Sequence, residues 1–140
     1  LIKWTEEDGE LKHYYNIRYA ESSDGINWDR NGQICIDFKN EFEYAIARPF
    51  VLKEEGIYKM WYSYRESEKN KTYRIGYAES PDGKSWQRMD DAINLEVSDS
   101  GWDSEMIEYS FIYDFKGKRY MLYNGNSFGR TGMGLAELEV

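Results

Sequence analysis

The sequence predicts an all-β fold, a β-propeller built from four-stranded antiparallel sheets (blades). The main observation is a repeat: residues 18–30 (RYAESSDGINWDR) return 58 positions later as residues 76–88 (GYAESPDGKSWQR). A shorter copy, GLAEL, follows at residues 134–138 after the same interval. Tyr-, Trp- and Ile-rich segments separated by turn motifs indicate short strands. Repeated meanders of this length typically stack as blades around an axis.

The second copy defines the elements of one blade. Its alternating segments predict four strands, over residues 45–53, 58–64, 73–79 and 85–89. Two-residue turns are expected at Glu55-Gly56 and Lys116-Gly117, and tight turns at Asp24-Gly25 and Asp82-Gly83. Residues 50–62 also match residues 111–123, at a shift of 61, and a longer loop at 63–71 than at 124–130 is expected to absorb the difference.

At this period, 140 residues supply about 2.4 blades of a propeller that is expected to have five. The expected division is a partial blade at 1–42, a blade at 43–100 and a partial blade at 101–140. The chain should begin on a second strand (1–5) and end on a third strand (134–140). Both ends therefore carry the same strands, so we expect missing blades of a longer chain rather than a homodimer to complete the ring.

Composition excludes several classes of function. The chain has 26 acidic and 18 basic residues, a net charge of -8 and a pI near 4.8, which argues against nucleic-acid and membrane-surface binding. No apolar run reaches the length of a membrane span. A single Cys (Cys35) and a single His (His13) lead us to expect no disulfide, metal or cofactor, and the lone Cys favours the cytoplasm.

Several segments together resemble the five-bladed propeller glycosidases: ARPFV (47–51), YKMWYS (58–63), RIGYAES (74–80), GWDSEMIEY (101–109) and YMLYNGN (120–126). These include glycoside hydrolase family 43, the invertase and levansucrase group of family 32, and the mannoside phosphorylases of family 130. The resemblance implies a carbohydrate substrate and a hydrolase or phosphorylase. It also implies that the first strand of each blade lines a channel carrying three carboxylates: a base, a supporting Asp and an acid Glu.

Glu108 is the candidate general acid. Glu21, Glu79 and Glu137 recur in every copy and are expected to be scaffold, whereas Glu108 aligns with Ala47 and breaks the repeat. In family 43 the acid lies two residues before a Pro, and Glu108 lies two residues before Ser110, which fills that position. Proton donation to the leaving oxygen needs a carboxyl whose pKa is raised by burial or by a neighbouring carboxylate. The alternative is a channel Glu that only binds water or an Arg.

Arg48 stands where the family has its Asp, directly before Pro49. This departure disfavours ordinary family 43 hydrolysis. An Arg here can clamp a substrate carboxylate, phosphate or hydroxyl, and the alternative is a salt bridge with Glu108, Glu105 or Glu43. The channel strand expected to carry the base would precede Leu1, so the chain alone should be inactive.

Further candidates for substrate binding lie in the loops next to the channel strands: Asp103, Glu105, Trp102, Tyr64, Arg65, Asn124 and Asn126. Trp and Tyr can stack on sugar faces, while Asn and Arg bond hydroxyls. Such aromatic residues can equally belong to the core, and the acidic pair to a solvated loop. Trp28, Trp61 and Trp86 are expected to pack between blades.

Two other interpretations stay open. The turn motifs at 22–28 and 80–86 resemble the Asp-box of sialidases, although they are one residue short between Asp and Gly. A sialidase would also need a cluster of Arg residues, and the channel strands offer only Arg48. The other interpretation is a propeller that binds glycan or protein without chemistry.

Overall fold

A computed structural model describes residues 2–66 and 70–139. In these residues the secondary structure is all β apart from one 3-10 turn at Asp90–Ala92, so the predicted all-β class is confirmed. The strands are β1 (Ile2–Glu7), β2 (Glu10–Tyr15), β3 (Ile17–Arg18), β4 (Ile34–Ile36), β5 (Glu43–Glu54), β6 (Ile57–Glu66), β7 (Asn70–Ser80), β8 (Gln87–Arg88), β9 (Glu108–Phe115), β10 (Lys118–Asn124) and β11 (Met133–Glu137). No helix in this part of the chain is long and apolar enough to cross a membrane.

The central sheet is the antiparallel meander β5-β6-β7-β8. Its strands fall on the four predicted segments. The loop predicted over 63–71 is wrong for most of its length, because β6 continues to Glu66 and β7 starts at Asn70. The extra residues stay strand because they keep their pairing, with Tyr64 opposite Arg74 and Glu66 opposite Asn70. Residues 67–69 lie outside the described part of the chain.

Neighbouring sheets join edge to edge at equivalent places. The β1-β2 hairpin meets β5 through a parallel bridge from Tyr15 to Ala45. On the other side of the central sheet, the Ile107 N–H donates to the Tyr73 carbonyl at 3.3 Å, just before β9 opens the three-stranded β9-β10-β11 sheet. Together the sheets form a curled array that is consistent with part of a propeller.

The turns follow the sequence closely. Glu55-Gly56 and Lys116-Gly117 have positive φ at both residues, as in the type I′ turns of two-residue hairpins. The motif turns at 22–28 and 80–86 share one hydrogen-bond pattern. Asp24 Oδ1 accepts two backbone N–H groups, each at 2.8 Å, and Asp82 Oδ1 accepts two at 2.8 and 2.7 Å. These bonds hold the pKa of Asp82 at about 2.

The central sheet is covered on both faces because neighbouring residues of a strand point to opposite sides. Met60 and Tyr62 of β6 pack into one cluster with Ile17 and Ile36, while Trp61 packs into a second cluster with β9 and β10. Trp86 packs against the first cluster, as predicted. Trp28 does not pack between sheets as predicted. Its ring stays 51% exposed and only its indole N–H is bound, by the Gly25 carbonyl of the same turn at 3.2 Å.

Candidate functional site

Two matching β-bulges position the site. On β5, Arg48 and Pro49 together face one residue of β6, and on β9, Tyr109 and Ser110 together face one residue of β10. The first residue of each pair, Arg48 and Tyr109, adopts a left-handed backbone, with φ of 55° and 56°. Non-glycine residues adopt this conformation at a cost of about 1–2 kcal/mol, and bulges often re-aim side chains beside functional sites.

Glu108 comes directly before the second bulge and is completely buried. Neither of its carboxylate oxygens has a hydrogen-bond partner among the described residues. Burial therefore raises the pKa of Glu108 to about 7, although the positive charges of Arg65 and Arg48 act in the opposite direction. A carboxyl with such a pKa can hold or give up a proton near neutral pH.

The two arginines beside Glu108 contact aromatic rings. The Arg48 guanidinium lies 4.8 Å from the centre of the Tyr109 ring, and that of Arg65 lies 4.0 Å from the centre of the Tyr73 ring. None of the ion pairs within residues 2–66 and 70–139 includes either arginine. The salt bridge considered for Arg48 is therefore not formed, and Glu43 is bound by Arg88 instead, at 2.7 Å.

Hydrogen bonds hold this group of residues in place from below. The hydroxyls of Tyr15 and Tyr73 are 2.5 Å apart, and the Tyr109 N–H donates to the Oγ of the buried Ser63 at 3.0 Å. Tyr73 itself is 3% exposed, and its phenol has a raised pKa because of burial and the bond to Tyr15. The phenol is therefore a neutral hydrogen-bonding group across the physiological range.

Sequence reasoning missed three aromatic residues at this place. The rings of Tyr73, Tyr109 and Phe128, hereafter the aromatic cluster, have centres 5.7 to 6.4 Å apart. A signal for Tyr73 was available, because Tyr15 precedes it by the repeat interval of 58 residues. Nothing in the sequence singles out Phe128, which reaches the cluster from the loop after β10.

Tyr64 lies away from Glu108. It follows Ser63 and precedes Arg65 on β6, so its side chain points to the opposite face of the sheet, where it packs against the first core cluster. Burial raises its pKa to about 12. Of the two neighbouring candidates, only Arg65 is therefore brought to Glu108.

The candidates in the loop before β9 make contacts within the protein. Asp103 is 5% exposed and accepts a bond from the Tyr123 hydroxyl at 3.2 Å, and the ring of Trp102 stacks on Tyr123. Asn126 accepts the N–H groups of Glu105 and Met106 at 2.8 and 2.9 Å. These residues shape the loop that leads into Glu108.

Two further candidates lie at the ends of this loop system. The side chain of Glu105 is exposed, while its carbonyl accepts bonds from Thr72 and Arg74 at 2.6 and 2.9 Å. Asn124 is the last residue of β10 and pairs through its backbone with Glu108. Asn124 is therefore the predicted polar candidate placed nearest to the carboxyl along the sheet.

The cavity with the largest apolar lining lies elsewhere. It measures about 250 Å³ and is lined by Trp61, Tyr77, Ile93, Ile112 and Met121, all next to the second core cluster. We place the site at Glu108 rather than here, because glycosidic chemistry needs a titratable carboxyl and this cavity is chiefly a gap between packed sheets. In the described residues no group of three or more His, Cys, Asp and Glu side chains is arranged to hold a metal ion.

Comparison with known proteins gives relatives and fold neighbours. The chain is 41% identical over 138 residues to uncharacterized protein Rv1502 of Mycobacterium tuberculosis strain H37Rv, and equally to uncharacterized protein MT1551 of strain CDC 1551. These matches cover 99% of this chain and 44% of each relative, so the chain spans less than half the length of the curated relatives. No family model matches.

Two solved structures share the fold. One is described as "Glycoside hydrolase" and the other as a complex of BT0996 and RGII, each with a TM-score of 0.69. Their sequences are 19% and 18% identical to this protein, and the match covers 99% of it and 40% of each of the two larger proteins. At this level of identity the likeness establishes a common architecture, and this protein has the fold of a segment of these larger ones.

Proposed function

We propose that this chain forms part of a carbohydrate-active propeller, a glycoside hydrolase or phosphorylase, in which Glu108 is the proton donor and Arg48 binds the substrate. The observation that carries the proposal is the state of Glu108: its carboxyl is fully buried, has no hydrogen-bond partner among the described residues, and has a pKa near 7. The fold shared with a glycoside hydrolase supports the same class of function.

The chemistry asks little more of Glu108 than a proton at the right moment. Cleavage of a glycosidic bond leaves an alkoxide unless the leaving oxygen is protonated, and a carboxyl kept neutral by burial can supply that proton. The carboxylate formed would then be stabilised by the charges of Arg48 and Arg65. Since Glu108 has no exposed surface, the side chains that cover it must move before a sugar can reach it.

The scaffold part of the proposal is a five-bladed ring, with the blades divided near residues 42 and 100. The equivalent edge contacts from β2 to β5 and from Tyr73 to Ile107 support this division. We assign the partner carboxylate, which would activate water or phosphate, to none of the described residues.

Turnover of aryl glycosides tests the role of Glu108. We expect Glu108→Gln to lower kcat on substrates with poor leaving groups by about 10³-fold or more. Glycosides with a nitrophenolate leaving group need less proton donation, so they should lose much less. Glu137→Gln, which changes an exposed Glu bound to Lys118, is the matched control and should leave kcat unchanged. Equal loss on both kinds of substrate, or no loss, would contradict the assignment.

A non-catalytic glycan- or protein-binding propeller is the second candidate. The absence of exposed surface on Glu108 and the presence of Arg48 in place of a carboxylate favour it. It predicts glycan binding without turnover in the wild type, and binding that is unaffected by Glu108→Gln.

A further inference from the structure

The second arginine of the site is held in a way that leaves it ready for a ligand. Arg65 lies in the corner between Tyr73 and Phe128, 4.0 and 5.5 Å from their ring centres, and the two ring planes are 75° apart. Its Nε is buried and has no hydrogen-bond partner among the described residues. A guanidinium fixed against rings still has the N–H groups of its edge available, and this edge matches the two oxygens of a carboxylate or phosphate.

The charge of the chain makes this lack of an ion pair unusual. Acidic residues outnumber basic ones by 26 to 18, yet neither Arg65 nor Arg48 belongs to any of the ion pairs in the described residues. Other arginines are paired: Arg88 binds Glu43 and Asp90, and Arg119 binds Glu54 and Asp114. Glu108 is the acidic group whose charge these two arginines influence, and its burial favours the neutral form.

The loop that carries Phe128 is built at a conformational cost. Ser127 and Phe128 are both left-handed, with φ of 55° and 61°, and the loop is closed by backbone bonds from Gly129 to Gly125 and from Gly125 to Gly132. Phe128 is 55% exposed, so burial of its ring offsets little of this strain. Strain retained without a packing reason is typical of functional positions.

We infer that Arg65 and Arg48, with Phe128 beside them, bind an anionic group of a sugar, so that the substrate is an acidic carbohydrate bearing a carboxylate or a phosphate. The inference rests on the proposed function, because it names the substrate class of the same site. Phe128 supplies an apolar surface for the sugar ring, and Arg65 receives the anion along its edge. Arg48, which is exposed, contributes a second positive charge at the entrance.

Equilibrium binding tests this inference without any turnover. Isothermal titration would compare galacturonate with galactose, glucuronate with glucose, and glucose 1-phosphate and inorganic phosphate with both. We expect at least one acidic sugar to bind about tenfold or more tightly than its neutral counterpart, and this preference to weaken as NaCl is raised. A preference for the uronates identifies the group as a carboxylate, and a preference for the phosphates identifies it as a phosphate.

Variants locate the binding. Arg65→Met should abolish the preference for the acidic sugar, and Arg65→Lys should restore it only in part, because Lys keeps the charge without the planar fork. Arg48→Met, at an exposed position where misfolding is not expected, should weaken binding severalfold. The matched control Arg30→Met changes an exposed arginine outside the site and should have no effect.

The outcomes separate this inference from the proposed function. Equal affinity for acidic and neutral sugars, no binding of any acidic sugar, or an acidic preference that survives in folded Arg65→Met and Arg48→Met would overturn the inference while leaving the role of Glu108 to the turnover assay. An Arg65-dependent preference combined with unchanged turnover in Glu108→Gln would support the anionic site and remove the catalytic assignment.

Discussion

The hydroxyl groups of Tyr15 and Tyr73, which are 58 residues apart in the chain, lie 2.5 Å from each other. Each residue stands at the point where its strand meets the first strand of the next sheet: Tyr15 bridges to Ala45, and the Tyr73 carbonyl accepts the N–H of Ile107. Equivalent residues of neighbouring sheets therefore meet on the inner side of the curl, close to the aromatic cluster and Glu108. The repeat and the site share this pair.

This pair should couple energetically. We expect Tyr15→Phe and Tyr73→Phe each to lower the free energy of unfolding by about 1 kcal/mol, because each removes one partner of the same hydrogen bond. The double variant should cost less than the sum of the two, with a coupling energy of about 0.5–1.5 kcal/mol. Urea unfolding of the four proteins measures this cycle, and strictly additive losses would show that the hydroxyls do not interact.

Glu108 should make the stability depend on pH. Its pKa is about 7 when folded and near 4.5 when unfolded, so the folded state holds the proton over a range in which the unfolded state releases it. This contribution is fully present below pH 4.5 and is lost as the pH rises to 7, for a total of about 3 kcal/mol at most. Glu108→Gln cannot ionise and should not show this loss.

Urea unfolding at several pH values between about 4.5 and 8 checks the Glu108 prediction. The difference in stability between Glu108→Gln and wild type should grow in favour of the variant as the pH rises, because the variant keeps a neutral side chain. Glu137→Gln should run parallel to wild type. Parallel curves for wild type and Glu108→Gln would mean that the Glu108 carboxyl ionises as readily in the folded protein as in the unfolded one.

Arg88 should be essential for stability rather than for binding. Its guanidinium donates to Glu43 at 2.7 and 2.9 Å and to Asp90 at 2.7 Å, and the side chain of Glu43 is entirely buried. Removing the cation leaves a buried carboxylate unpaired, so we expect Arg88→Met to cost about 3–5 kcal/mol in urea unfolding. Arg30→Met, at an exposed site, should change stability by less than about 0.5 kcal/mol. A loss of under about 1 kcal/mol for Arg88→Met would contradict this role.

Gly76 should tolerate no side chain. An added Cβ would lie 2.5 Å from the Tyr62 ring and 2.7 Å from Asp90 Oδ1, in a core that has no room to relax. We expect Gly76→Ala to lower the free energy of unfolding by about 2–3 kcal/mol through overpacking. Gly117→Ala meets no atom within 4 Å and carries only the strain of its positive φ, which corresponds to about 1 kcal/mol. Thermal or urea unfolding compares the two, and an equal cost would show that the core around Tyr62 adapts.

Local interactions explain why much of the fold could be predicted. Strand positions follow from two-residue alternation, and the turns at Glu55-Gly56 and Lys116-Gly117 follow from residues that accept positive φ. The motif turns at 22–28 and 80–86 are held by bonds between residues at most three positions apart. Where the prediction failed, as in the loop at 63–71, strand pairing over a longer range prevailed over the local signal.

The sequence by itself determined the all-β class, the hairpin turns, and the selection of Glu108 as a carboxylate that breaks the repeat. Tertiary structure alone decided that this carboxyl is buried without a hydrogen-bond partner among the described residues, that Arg65 rather than Tyr64 approaches it, and that Phe128 joins Tyr73 and Tyr109. The physical reason is range. Turns and alternation depend on neighbouring residues, whereas desolvation, ring contacts and unpaired charges depend on how separate sheets are brought together.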